Sequence, residues 1–87
     1  MAISLANITL DCDDTGAVAT FWSAVLGLPL DDAPPEVAPY FRQISTPDGS
    51  ANWLFIKVPE PKTAKNRQHL DFTADDRAAE HERLLGL

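Results

Sequence analysis

The feature that most constrains this chain is a break between two strand-like runs across residues 58–72. An apolar run ends at Val58, prolines follow at Pro59 and Pro61, and a basic turn leads to His69, Leu70, Asp71 and Phe72. Proline has no N–H to give a sheet ladder, so Pro59 and Pro61 end the upstream strand. Three of the seven Lys and Arg residues, Lys62, Lys65 and Arg67, fall within this one connection. The chain upstream reads as a complete unit, and the chain downstream as the start of a second.

Residues 3–10 place Ile3, Leu5, Ile8 and Leu10 among polar Ser4, Asn7 and Thr9, which predicts a strand. Asp11, Asp13 and Asp14 follow. Asp14 suits an N-cap, and the acidic group suits the positive end of a helix dipole. A calcium loop needs more oxygen ligands at regular spacing, so capping and solvation outweigh a hard-metal site there. Residues 17–26 then predict a helix, with Val18, Phe21, Trp22, Val25 and Leu26 on one apolar face. Gly27 stands where a left-handed cap is wanted, and Pro29 prevents continuation.

Residues 30–39 are acidic and proline-rich and predict a surface loop, with a short edge strand at 28–31. A strand resumes at 40–45. Pro47, Asp48, Gly49 and Ser50 form a turn signature, and 52–58 is the return strand of an antiparallel hairpin. Its apolar character predicts cover on both faces. A second helix is expected at 77–85, with Ala78, Ala79, Leu84 and Leu85 as its apolar positions and Gly86 at its end. The passage from strand to acidic helix start occurs twice, at 8–14 and 69–76, as an internal repeat.

With 87 residues, 45% of them hydrophobic, the chain has material for one small core. A net charge of −6 argues against nucleic acid or an anionic membrane as the main partner. Residues 1–4 carry no basic leader, and no run is long enough to span a bilayer. The lone Cys12 cannot form an internal disulfide, which fits a reducing cytoplasm, and nothing basic beside it in sequence favours a thiolate. Walker, Rossmann, CxxC and Ser-His-Asp signatures are all absent from the sequence.

Residues 19–28, reading Ala-Thr-Phe-Trp-Ser-Ala-Val-Leu-Gly-Leu, precede the Val-Pro-Glu-Pro-Lys…Lys-Asn-Arg-Gln-His-Leu-Asp joint at 58–71. Together with the internal repeat they resemble a glyoxalase-like domain of the vicinal oxygen chelate (glyoxalase/bleomycin resistance/dioxygenase) superfamily. The resemblance implies an α+β fold, a βαβββ module with a curled mixed sheet, and a second module incomplete at its strand and helix. It divides a single domain into a first module at 1–58, a joint at 59–67 and the start of a second module at 68–87. Three more strands would be expected beyond Leu87, so the chain is either a shortened form or is completed by another chain.

Metal-dependent members of the superfamily hold a divalent ion through His or Glu from both modules, and the ion acts on substrate oxygens as a Lewis acid. His69 matches the position from which a second module supplies a ligand. Asn7 stands where the first strand would supply His or Glu, and Ile56 where Gln or Glu is common. Gln43 is the nearest remaining polar candidate. Two functions follow from the resemblance. One is a metal-free protein of binding or resistance type that holds a small molecule in a curled-sheet cavity. The other is a divalent-metal-dependent lyase, isomerase or dioxygenase-like enzyme using His69.

For the ligand wall the candidates are Trp22, Tyr40, Trp53 and Phe55, with core packing as their alternative role. Lys62, Lys65 and Arg67 are candidates for an anionic group, with a solvated basic turn as the alternative. Asp71 is a candidate clamp for Arg67 or Lys65. A concave face carrying Phe41 or Ile44 and alternate residues of 53–58 would be uncovered in one module. That predicts a homodimer with His69 near the shared cleft.

Overall fold

The computed structural model describes residues 3–87, so the leader reading of Met1 and Ala2 lies outside the described residues. Five elements follow in order: β1 (Asn7–Cys12), α1 (Thr15–Leu26), β2 (Phe41–Ile44), β3 (Asn52–Lys57) and α2 (Arg77–Leu85). The strands form one open mixed sheet in the order β1-β3-β2. Central β3 runs parallel to β1 and antiparallel to β2, so the predicted hairpin is present and α1 lies in the crossover from β1.

Local chemistry sets the ends of α1. The Asp14 carboxylate accepts from Ala17 N at 3.0 Å, and Gly27 closes the helix at φ 67° with its N–H on Ser23 O. A left-handed residue at this point carries a steric penalty for any side chain, which explains the glycine. At the hairpin, Gly49 takes φ 80° and Asp48 accepts from Ser50 N at 3.0 Å. That N–H holds the Asp48 carboxyl below its ordinary range.

Ala19, Ile44, Trp53 and Phe55 form the buried core between α1 and the sheet, with Ile8, Leu10, Val18, Trp22, Leu26, Leu28 and Leu30 packed around them. The fully buried Thr15 hydroxyl reaches Pro39 O at 2.9 Å and so ties the acidic proline loop to the start of α1. Strand parity decides the rest. Residues directly opposite one another in a ladder share a face, so Ile8, Leu10, Ile44, Trp53 and Phe55 all meet the helix.

Four expectations are corrected. The first strand begins at Asn7 rather than Ile3, because its partner begins at Asn52; Ile3 and Leu5 have no strand beside them and are exposed. Residues 28–31 run beside β2 but share one backbone bond with it, Asp31 N to Gln43 O at 2.9 Å, which is not a ladder. Only one face of β3 is sealed, since Asn52, Leu54 and Ile56 stay half-buried on the other. Residues 69–72 form no strand: among the described residues no backbone hydrogen bond joins them to β1. The Trp22 ring and a cleft of about 520 Å³ lie between that segment and the strand edge.

Helix α2 keeps its predicted place, with Asp76 as N-cap accepting from Ala79 N at 3.0 Å, but it buries no residue. Its attachment is Arg83, whose guanidinium donates to Ala24 O at 2.7 Å and Val25 O at 2.8 Å in the last turn of α1. Those carbonyls have no partner within their own helix, and a cation is favoured at that end of the dipole. Glu80 holds the Arg83 side chain in position at 2.6 Å.

Candidate functional site

The face of the sheet turned away from α1 is the candidate site. Its side chains fall into three rows across the strands. Asn7 lies opposite Asn52. Thr9, Leu54 and Gln43 form the second row, and Asp11, Ile56 and Phe41 the third. Directly opposed side chains sit about 5 Å apart, so each row is a continuous contact surface. Leu54 and Ile56 make an apolar stripe down the middle. Amides, a hydroxyl and one carboxylate flank it.

Such a surface offers an apolar floor for a flat body and hydrogen-bonding groups at its margins. The Gln43 amide donates to Ser45 Oγ at 3.2 Å, and that hydroxyl donates to Asp31 Oδ2 at 2.5 Å. The chain of bonds fixes the rotamer of Gln43 from the loop side. Asp11 is the one ionisable group in the three rows.

Several sequence candidates lie elsewhere. Trp53 and Phe55, proposed for a cavity wall, are in the core at 7% and 0% exposure, because their parity on β3 turns them toward α1. Ile44, expected on the uncovered face, is likewise fully buried. Trp22 is half-buried on α1, against Trp53 at 5.2 Å and stacked with Phe72 at 6.2 Å between ring centroids. It lines the cleft beside β1 together with Ile8, Thr9, Leu10 and Asp11 of the strand and Asn66, Gln68 and Leu70 of the joint. Tyr40 is exposed immediately before β2, and Gln43 is on the open face opposite Leu54.

The joint carries the remaining candidates, and all of residues 60–72 are exposed. Lys65, Arg67 and His69 line one shallow concavity with Ala64 and Asn66; Lys62 does not. Asp71 makes no ion pair with Arg67 or Lys65, and the one ion pair among the described residues is Arg83 with Glu80. Thr9, Asn52 and Leu54 belong to this candidate face without having been singled out in the sequence, and Asp11 had been weighed only as a helix-start acid or hard-metal ligand. Counting by twos from Asn7 along β1 would have found Thr9 and Asp11.

A divalent ion is implied for part of the superfamily, and the side chains present do not fit one. Among the described residues no three His, Cys, Asp or Glu groups come together. On the open face Asn7 and Gln43 offer neutral amides, which are weak ligands for a borderline metal, and only Asp11 is anionic.

The sequence pattern of the glyoxalase-like domain family matches residues 7–87. No curated protein matches the chain. A structure described as a possible glyoxalase from Bacillus cereus superimposes with a TM-score of 0.73 at 19% identity, over 98% of this chain and 74% of that one. The oxidase ChaP-H2 superimposes with a TM-score of 0.63 at 20% identity, over 99% of this chain and 60% of that one. At these identities the likeness is one of fold.

Proposed function

From the premise that this chain belongs to the glyoxalase-like domain family, we propose that it binds a small organic molecule on the open face of its sheet, using no metal of its own. The difference between the two faces of the sheet carries this reading. One is sealed by α1. The other sets Leu54 and Ile56 among Asn7, Thr9, Asp11, Gln43 and Asn52. A ligand with a flat apolar body and neutral hydrogen-bonding edges matches that arrangement. Binding or resistance-type function, by sequestering such a molecule, fits the donor set better than Lewis-acid chemistry.

A second copy of the chain belongs to the same proposal. It would roof the open face and bring further polar groups to the ligand. The alternative reading, a divalent-metal-dependent lyase, isomerase or dioxygenase-like enzyme, requires ligands beyond His69 from such a copy or from further sequence.

Amide NMR of the metal-free protein tests the proposal, with neutral aromatic amides and phenols as probes and Zn²⁺, Ni²⁺ or Mn²⁺ added in a second arm. Probe-induced shifts are expected at Asn7, Thr9, Gln43 and Leu54 without metal, and Leu54→Arg should remove them. Shifts that require added metal and vanish in His69→Ala would transfer the case to the enzyme reading.

A further inference from the structure

Lys65, Arg67 and His69, with Ala64 and Asn66, surround a concavity of about 450 Å³ on the outer side of the joint. We propose that this concavity is an oxyanion site, taking the carboxylate or phosphate group of a small molecule. It is separate from the open sheet face, none of whose residues lines it. Residues 64–67 and 69 line the outer concavity, residues 68 and 70 line the cleft whose other wall includes Thr9 and Asp11 of β1, and Asn66 touches both.

The charge distribution is the second argument. Acidic residues outnumber basic ones thirteen to seven in this chain. A basic side chain therefore has many carboxylates to choose from, and Arg83 takes one, Glu80. Lys57 is engaged as well, its ammonium on Asp13 O at 2.9 Å. Among the described residues Lys65 and Arg67 have no ion pair and no hydrogen bond to protein, as is true of Lys62 and Arg77, but Lys65 and Arg67 alone of these share a concavity, and no acid lines it.

Donor chemistry completes the case. The guanidinium presents a planar fork suited to two oxygens at once, the ammonium three rotatable donors, and the asparagine amide two more. The His69 ring adds an N–H. A neutral or cationic ligand would leave these groups poorly matched, whereas a carboxylate or phosphate is the kind of acceptor their chemistry suits.

The test is an amide NMR titration of the full chain with sodium phosphate and with sodium acetate, at ionic strength held constant by sodium chloride. Saturable shifts confined to residues 64–69 are expected, and either anion saturating upholds the site. The anion that saturates at lower concentration distinguishes a phosphoryl from a carboxylate ligand. Lys65→Gln with Arg67→Gln should weaken saturation at least tenfold, while Arg77→Gln, an exposed cation outside the concavity, should leave it unchanged. Both changes lie on exposed chain, and the Trp53 indole resonance reports that the core is intact. Shifts that are linear, that chloride reproduces, or that survive the double substitution overturn the site. Because the open face reports through Asn7, Thr9, Gln43 and Leu54, either proposal can fail alone.

Discussion

Cys12 shows how a single position gathers the influence of everything around it. Its thiol is half-buried at the end of β1 and donates to Ile56 O across 3.6 Å. Burial pushes its pKa up, the carboxylates of Asp11, Asp14 and Asp13 push it further, and Lys57 opposes them. A thiol raised in this way binds its proton more tightly folded than unfolded. Its contribution to stability is complete below the unfolded thiol pKa and is lost as pH rises through the folded one. Alkylation by iodoacetamide at pH 8 should accordingly be several-fold slower than for free cysteine, with the midpoint of the rate–pH profile displaced upward. A rate equal to that of the free amino acid would contradict this placement. Capping residues were legible in the sequence, Asp14 and Gly27 among them, because a cap depends on the next three or four residues only. Trp53 and Phe55 were not. Core packing is the default for such residues, yet their chemistry fits a ligand wall too, and only the side of the sheet that receives α1 decides.

Helix α2 was readable from its acidic start and its terminal glycine, yet its mode of attachment was not. Nothing in residues 77–85 announces that Arg83 reaches the end of a helix 58 residues earlier in the chain. With no buried residue of its own, α2 relies on those bonds. Arg83→Gln should therefore release it: amide exchange in α2 is expected to approach unprotected rates, while β3 amides keep their protection. Equal loss in both elements would mean that α2 and the sheet unfold together. The hairpin was legible for the same local reason as the caps. Residues 69–72 have every attribute of a strand except a partner within bonding distance. A strand is a property of two segments, and composition describes one.

The whole molecule exposes more surface than its mass requires. A compact monomer of 9.5 kDa presents about 5,000 Å², against 6957 Å² here. Its radius of gyration is 14.4 Å, where a compact chain of this length has about 12 Å. Leu70, Phe72, Leu84, Leu85 and Leu87 are all exposed beside or beyond the joint. The excess, roughly 1,900 Å² by the same scaling, is comparable to what one copy buries in an obligate homodimer. Light scattering at micromolar concentration should give twice the chain mass, and Leu54→Arg with Ile56→Glu on the open face should halve it. A folded monomer throughout would defeat the second-copy proposal. No helix among the described residues is long and apolar enough to cross a membrane. The pairing of Asn7 with Asn52 also has a consequence in time. Synthesis delivers β1 first, but its one ladder partner among the described residues emerges last of the three strands. The hairpin of β2 and β3 closes over a handful of residues, whereas β1 must wait through the helix, the acidic loop and the hairpin itself. Of these three strands the first to leave the ribosome thus gains its ladder partner last, and β1 stays without one until residues 52–57 have been made.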